Sequence, residues 1–203
     1  MEHKTQTGYL VLADISGYTS FIAKTEIEHA ENVISPLLET IIEKLHDKLT
    51  IVKLEGDAVF AYVPEDQVSS CGVMLELIDD TYLIFRDSAN TMYEQATCPC
   101  RACKAIPMLD LKFFVHHGEY IIQQVAGIID LLGNDVTLIH RLAKNHVSES
   151  MGWNGYVLFT GHCLERMQAD KKPFIQQAET YEHLGEVETY VMNMHARYDE
   201  MKR

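Results

Sequence analysis

The sequence predicts a single α+β domain in which an antiparallel β-sheet is covered on one face by helices. Short apolar runs bounded by turn residues alternate with segments whose apolar residues recur at helical spacing. Two pairs of strand-like runs are separated by only a few turn residues, which is typical of hairpins in an antiparallel sheet. No repeat, low-complexity stretch or linker divides the 203 residues, so we expect residues 1–203 to form one domain.

The first half of the chain alternates strand and helix signals. An apolar run ends at Ser16-Gly17, which predicts a buried strand followed by a turn. Apolar residues at helical spacing predict the next elements, and Pro36 either opens the main part of the second helix or kinks it. Gly56-Asp57 separates two further apolar runs, which predicts a hairpin with a tight turn. The expected elements are a strand at 8–15, helices at 19–26 and 28–49, strands at 50–55 and 58–63, and a helix at about 66–96.

The second half of the chain contains a second predicted strand pair and then shorter elements. Two strand-like runs flank His117-Gly118-Glu119, where we expect a turn, and a further turn is expected at 130–133. The segment between the long helix and this strand pair contains three cysteines and is expected to be a loop. The expected elements are strands at 111–115 and 120–126, helices at 136–145 and 162–168, and strands at 156–160, 174–177 and 187–192.

Charge and hydropathy narrow the classes of partner. The chain carries 30 acidic against 17 basic residues, a formal net charge of −13, which argues against general nucleic-acid binding because phosphate contacts need a basic surface. A small anionic ligand is still compatible with this charge if it arrives with a divalent cation. The N-terminus lacks the apolar core of a signal peptide, and no apolar run is long enough to span a bilayer. We therefore expect a cytoplasmic protein with no membrane partner.

Two aspartates stand where predicted strands end. Asp14 closes the first strand immediately before a glycine turn, and Asp57 lies at the tip of the first hairpin. If those strands are neighbours in the sheet, the two carboxylates converge at one edge, and hard cations such as Mg²⁺ or Mn²⁺ prefer such oxygen ligands. Taken singly, each aspartate is better explained as an ordinary turn residue.

Six short motifs follow one another along most of the chain. They are Asp14-Ile15-Ser16-Gly17-Tyr18-Thr19, Lys53-Leu54-Glu55-Gly56-Asp57-Ala58, His117-Gly118-Glu119, Asp130-Leu131-Leu132-Gly133, Val136-Thr137 and Arg141. In this order and spacing they resemble the motifs of the class III adenylate and guanylate cyclases, and the resemblance covers about residues 8–195. It implies a ferredoxin-like antiparallel sheet of the nucleotide-cyclase type. The chain looks like an uncharacterised bacterial cyclase-like subgroup that has a cysteine-rich insert.

The resemblance also implies roles for individual residues. Asp14, Asp57 and the Ile15 carbonyl would hold two Mg²⁺ or Mn²⁺ ions per site. Gly17, Lys53 and Asp130 would contact the substrate, and the lysine and aspartate pair is the adenine-reading combination. Thr137 and Arg141 would be catalytic, Arg141 by stabilising charge on the α-phosphate. The implied reaction converts ATP to cyclic AMP and pyrophosphate, a phosphorus–oxygen lyase activity, in a head-to-tail homodimer that binds a purine nucleoside triphosphate.

Two positions depart from the pattern of an active cyclase. Thr137 stands where the family carries a ribose-orienting asparagine, and Leu184 stands where it carries a lysine that contacts the triphosphate. His183 or Lys144 are candidates to replace that lysine. A lost donor at a developing oxyanion lowers turnover by about 10²–10³. The departures therefore leave two functions open, a weak or degenerate cyclase and a non-catalytic module that binds a nucleotide or regulates a protein partner.

The cysteine-rich segment suggests a metal site of its own. Cys98, Cys100 and Cys103 are spaced so that three thiolates can face one Zn²⁺ from a loop, with a fourth ligand from elsewhere. The alternative is three reduced thiols in an ordinary loop, and a zinc-stabilised interaction domain is a third hypothesis for the whole chain. The candidates for the fourth ligand are Cys71, Cys163, His116 and His117.

Overall fold

The computed structural model, which describes residues 4–68, 71–98 and 100–203, is built around a central strand, β1 (Gln6–Ser16). The strand is almost entirely buried because it is apolar on both faces, and it pairs antiparallel with a neighbour on each side. The other strands are β2 (Thr50–Glu55), β3 (Ala58–Pro64), β4 (Asp110–Val125), β5 (Ile128–Leu132), β6 (Tyr156–Thr160), β7 (Ile175–Tyr181) and β8 (Gly185–Asn193).

The strands form one mainly antiparallel sheet. Their order is β2-β3-β1-β4-β6-β8-β7, and β5 pairs with the far end of β4. Of the pairings within the described residues, only that of β4 with β6 is parallel. The helices are α1 (Tyr18–Lys24), α2 (Ile27–His46), α3 (Cys71–Gln95), α4 (Arg101–Ala105), α5 (Asn134–Leu142), α6 (Val147–Met151), α7 (Gly161–Arg166) and α8 (Met194–Met201).

Alternating residues of β1 separate two hydrophobic layers. Tyr9, Val11 and Ala13 pack in the larger core beneath α2 and α3, whereas Leu10 and Leu12 lie in a smaller core beneath α5 and α6. The predicted α+β class with an antiparallel sheet is confirmed, but helices cover both faces of the sheet and not one, because α5 and α6 pack on the smaller core. No helix of the described ranges is long and apolar enough to cross a membrane.

The strand pair predicted around His117-Gly118-Glu119 is wrong, because β4 runs through these residues without a break. Gly118 marks a close approach instead of a turn, since a Cβ there would lie 2.3 Å from the carboxyl carbon of Asp135. That carboxylate accepts hydrogen bonds from the Glu119 main-chain N–H (2.7 Å) and from His116 Nε2 (3.1 Å). The hairpin turn instead lies at Ala126-Gly127, where both residues have positive φ. Asp130, expected in a turn, therefore lies within β5.

The helices also differ in detail from the prediction. One long helix was expected from about residue 66 to 96. The structure has a short 3₁₀ turn, Glu65–Gln67, and then the helix α3, which begins at Cys71. Pro36 lies inside α2, which begins at Ile27, so it does not open the helix. Three helices of five to eight residues were not predicted, namely α4, α6 and α8. Such short helices give too few apolar repeats to be recognised by periodicity.

Candidate functional site

Asp14 and Asp57 meet at one edge of the sheet, as expected. Asp14 lies near the end of β1 opposite Ala58 of β3, and the Ile15 N–H donates to the Asp57 carbonyl at 3.2 Å. Gly56, with φ of +68°, makes the tight turn that carries Asp57. Partial burial, and next the neighbouring Asp14 carboxylate, raise the pKa of Asp57 to about 6. The sheet therefore holds two interacting carboxyl groups at a partly desolvated edge.

Lys112 is the cation of this edge. It lies opposite Asp14 in the β1–β4 ladder, and its Nζ is 2.8 Å from Asp14 Oδ2, with both side chains less than one-fifth exposed. Burial alone would lower the pKa of Lys112, but the Asp14 carboxylate outweighs it and raises that pKa. Lys112 was not predicted from the sequence, because it joins the site through strand register, which no local motif reveals.

The donor set at this edge fits a hard divalent cation. Two carboxylates outnumber the one ammonium group, so the group of three carries a net negative charge when Asp57 is ionised. The Ile15 side chain is buried in the core, so Ile15 can contribute only its main-chain carbonyl to a metal. Carboxylate and carbonyl oxygens are the ligands that Mg²⁺ and Mn²⁺ prefer, with water and phosphate oxygens completing the shell.

Gly17 links this edge to α1. Its φ of +85° lies in the left-handed region, and a Cβ at this position would lie 2.8 Å from the Met108 carbonyl oxygen. The Gly17 carbonyl accepts the Phe21 N–H at 2.9 Å and so closes the first turn of α1. The backbone conformation and the close Met108 carbonyl thus both require glycine at position 17. The substrate contact expected of Gly17 stays a prediction.

Lys53 and Asp130 are brought together within one chain. Lys53 Nζ lies 3.1 Å from Asp130 Oδ2 and 3.0 Å from Glu55 Oε1, and all three side chains are about one-third exposed. Burial acts to raise the pKa of Asp130, but Lys53 and the Leu131 N–H outweigh it and lower that pKa. His140 Nδ1 lies 3.1 Å from Glu55 Oε2 and extends the group. Glu55 and His140 were not predicted from the sequence to lie beside Lys53 and Asp130.

Thr137 and Arg141 lie four residues apart on α5. The buried side of the helix consists of Val136, Ile139 and Leu142, which leaves Thr137 and Arg141 exposed. Thr137 Oγ1 donates to the Gly133 carbonyl at 3.3 Å, within its own helix turn. Arg141 forms no ion pair with any carboxylate in the described part of the chain, so the structure does not bring it to Asp14 and Asp57 of the same chain.

Leu184 lies in the turn between β7 and β8 and packs, partly buried, against the smaller core. The neighbouring side chains of Glu182 and His183 are almost fully exposed, and His183 Nε2 lies 3.4 Å from Glu182 Oε1. The position that the cyclase pattern gives to a lysine is therefore apolar here.

The cysteine-rich segment folds against α2 and contains α4. Ligand atoms of His29, Cys98 and Cys100 all lie within 4.8 Å of one another. The Cys103 N–H donates to Cys100 Sγ at 3.4 Å, and this contact contributes most to lowering the pKa of Cys100 to about 6. The sequence analysis did not name His29, because only the tertiary structure brings the start of α2 to this segment.

Four residues were proposed from the sequence as the fourth zinc ligand, and three of them are wrong because their side chains make other contacts. Cys163 is buried with its sulfur 3.6 Å from that of Met167. The ring nitrogens of His116 form hydrogen bonds with the side chains of Thr160 and Asp135. The His117 ring lies beside the side chains of Glu65 and His162. The fourth candidate, the Cys71 side chain, lies outside the described residues.

The chain is similar to proteins without an assigned function and to solved cyclases. A family model described as "Protein of unknown function (DUF2652)" matches residues 34–151. The uncharacterised protein Rv2561/Rv2562 of Mycobacterium tuberculosis (strain ATCC 25618 / H37Rv) is 30% identical over 168 residues, which cover 79% of this chain and 73% of the relative.

Solved structures show the same fold at low identity. A bacterial light-regulated adenylyl cyclase matches 99% of this chain with a TM-score of 0.71 and 15% identity, and this chain spans only 58% of that one. The guanylyl cyclase Cya2 matches with a TM-score of 0.73 and 14% identity, over 94% of this chain and 93% of its own. The adenylyl cyclase CyaB from P. aeruginosa matches with a TM-score of 0.63 and 14% identity, over 94% of this chain and 95% of its own. The predicted class III cyclase fold is confirmed.

The raised pKa of Asp57 predicts an unusual stability change. Between about pH 4 and pH 6 the folded state holds a proton that the unfolded state has released, so this group adds stability at low pH and loses it as pH rises through 6. Asp57→Asn should therefore stabilise the metal-free protein at pH 7–8 by about 1–3 kcal/mol. Urea denaturation in the presence of a chelator measures the effect.

The matched control is Asp47→Asn, at an exposed aspartate just after α2. It should change stability by less than about 0.5 kcal/mol at any pH. If Asp57→Asn destabilises the protein at pH 8 as much as at pH 5, the carboxylates do not repel one another and this account of the edge is wrong.

Proposed function

Starting from the fact that this chain belongs to the DUF2652 family of proteins of unknown function, we propose that it is a weak, metal-dependent nucleotidyl cyclase that converts ATP to cyclic AMP and pyrophosphate. The observation that carries the proposal is the meeting of Asp14 and Asp57 beside Lys112 in a cyclase fold. A partly buried carboxylate pair with a single cation costs stability, and such a cost is typical of a functional site.

The chain's own groups at this edge would bind and orient a triphosphate. Asp14, Asp57 and the Ile15 carbonyl would hold Mg²⁺ or Mn²⁺, which supplies activation of the ribose 3′-hydroxyl and neutralisation of phosphate charge. Lys112 places an ammonium group beside the same carboxylates, fixed by a 2.8 Å ion pair and by burial. A phosphate that arrives at this edge therefore meets a cation that belongs to the protein, although the chain as a whole is acidic.

The Lys53 and Asp130 pair would read the base. A lysine ammonium can donate to N1 of adenine, and an aspartate carboxylate can accept from its N6 amine, whereas guanine presents the opposite pattern. Their 3.1 Å contact holds both groups in place before the nucleotide arrives. Glu55 and His140 support the lysine from the other side, which limits the reorganisation required on binding.

A complete site would need a second copy of the chain. Arg141 is exposed on α5 without a carboxylate partner among the described residues, and a large exposed apolar surface lies beside Asp130. We call this surface the hairpin patch; it consists of Leu54, Val125, Ile128, Ile129 and Leu132, each more than half exposed. Exposed apolar groups of this size on neighbouring strands are typical of an interface. The patch would join two copies head to tail, with Arg141, Lys53 and Asp130 of one facing Asp14 and Asp57 of the other.

A non-catalytic nucleotide-binding or regulatory module is the second candidate function. Leu184 favours it, because this side chain packs into the core where the cyclase pattern has a lysine. Thr137 favours it as well, since its hydroxyl is occupied by the Gly133 carbonyl and a threonine lacks the paired donor and acceptor of an amide. Both features would reduce the stabilisation of negative charge on the phosphates, but they would leave the edge with Asp14 and Asp57 unchanged.

Product formation by the purified protein separates the two functions. With ATP and Mn²⁺ or Mg²⁺ we expect slow release of cyclic AMP, lost in Asp57→Asn and retained in Asp47→Asn. Leu184→Lys should raise turnover about tenfold or more, because it restores a missing donor, whereas Leu184→Met should not. Chromatographic separation of cyclic AMP, cyclic GMP and pyrophosphate is the measurement. Nucleotide binding without any cyclic product, from folded wild-type protein and from Leu184→Lys, would contradict the cyclase and leave the binding module.

A mixing experiment tests the shared site. Arg141→Ala and Asp57→Asn should each be inactive alone, but a mixed dimer contains one site with both residues intact. Equal mixing makes half of the dimers mixed, and each of these has one of two sites intact, so about one quarter of wild-type activity should return. Adding Ile129→Asp to both chains should abolish this recovery by disrupting the hairpin patch. The same substitution at the exposed Ile175 of β7 is the control, and no recovery on mixing would contradict the head-to-tail arrangement.

A further inference from the structure

The corner between α2, α3 and α4 brings together three thiols and an imidazole from distant parts of the chain. His29 lies in the first turn of α2, whereas Cys98, Cys100 and Cys103 lie in and before α4. Ligand atoms of His29, Cys98 and Cys100 all lie within 4.8 Å of one another. In a tetrahedral zinc site with Zn–S bonds of about 2.3 Å, ligand atoms lie about 3.5–3.8 Å apart. The three groups are therefore close to the spacing that one zinc ion requires.

Cys103, which lies outside that group of three, is the candidate for the remaining ligand. Cys100 caps α4, and its sulfur accepts the Cys103 main-chain N–H at 3.4 Å, so both residues stand at the same end of one helical turn. The Cys103 thiol interacts with the thiols of Cys100 and Cys98. A pair of cysteines separated by two residues around such a turn is common in structural zinc sites.

We propose that His29, Cys98, Cys100 and Cys103 form a structural Cys₃His zinc site. All four protein ligands come from one chain, so the site is closed and leaves no position for a substrate. His29 and Cys98 are exposed, which gives the ion access from solvent. Three thiolates and Zn²⁺ carry a net charge of −1, and the exposed Arg101 and Lys104 lie next to the ligands in sequence.

The packing around this corner explains what the metal would stabilise. A pocket of about 360 Å³ separates the cysteine-rich segment from α2 and α3, and its lining includes His29, Cys98, Val33, Met92 and Ile106. The segment also has packing of its own, since Ala102 and Ile106 are buried in the larger core. A metal bond between α2 and α4 would add to these contacts a crosslink between elements about 70 residues apart in sequence.

The crosslinked segment leads to the β1–α1 turn. After Cys103 the chain reaches Met108, whose carbonyl oxygen lies against Gly17, and then enters β4 toward Lys112. Zinc at this corner would therefore fix the segment that abuts the carboxylate edge. The zinc site itself does not depend on the proposed cyclase activity, and its test needs no nucleotide.

Metal content of the purified, reduced protein tests the site directly. Elemental analysis after exposure to zinc and removal of excess metal should give one zinc per chain. His29→Ala and Cys103→Ser should each weaken zinc binding more than about 100-fold, because losing even an outer-shell partner costs 10–100-fold. His46→Ala, at an exposed histidine on the same helix, and Cys163→Ala, at a buried thiol on α7, should retain the metal.

Cobalt substitution reports the ligand set independently of affinity. Tetrahedral Co²⁺ bound to wild-type protein should show strong visible bands and thiolate-to-metal charge transfer, which falls in Cys103→Ser by about one-third. The circular dichroism spectrum confirms that each variant is folded, and a chelator should lower the thermal midpoint of the wild type but not that of His29→Ala. Zinc absent from the reduced wild type, or bound as tightly by folded His29→Ala, would overturn the proposal.

Discussion

The partial burial of Asp57 beside the carboxylate of Asp14 is the constraint on which the rest of this edge depends. The β1–β4 ladder places Asp14 opposite Lys112, and the β1–β3 ladder places it beside Ala58, the residue that follows Asp57. Partial burial reduces the screening of the two negative charges by water, and a single ammonium group cannot offset both. A protein selected for stability alone would replace Asp57 by a neutral residue, so its presence is best explained by a ligand that brings positive charge.

In the proposed function, the remaining groups would act on this edge from a second copy of the chain. Arg141 lies exposed on α5 and forms no ion pair with a carboxylate of the described residues, while the hairpin patch lies beside the Lys53–Asp130 pair. One chain thus presents the Asp14–Asp57 edge and, separately, a surface that carries Arg141, the Lys53–Asp130 pair and the hairpin patch. The proposed head-to-tail dimer would bring these two unlike surfaces together. The cysteine-rich corner is connected to this edge through Met108, whose carbonyl oxygen lies against Gly17.

Local patterns predicted the fold well, and long-range contacts were the part they could not supply. The hairpin around Gly56-Asp57 and the first strand were correct because turn residues and apolar runs are local signals. Gly118 was misassigned to a turn because a glycine that admits the Asp135 side chain has the same local signature as a turn glycine. Lys112 and His29 were missed for a single reason, since each joins its site through tertiary structure and belongs to no motif in its own segment.

Metal binding at the carboxylate edge is the most direct test of the central claim. Metal-free protein is titrated with Mn²⁺ at neutral pH, and the signal of free aqueous Mn²⁺ in electron paramagnetic resonance reports the unbound ion. The account predicts saturable binding that Asp14→Asn weakens by about tenfold or more, while Asp47→Asn and His29→Ala leave it unchanged. Equal binding by wild type and folded Asp14→Asn would contradict the account, because the carboxylate pair would then have no cation to hold.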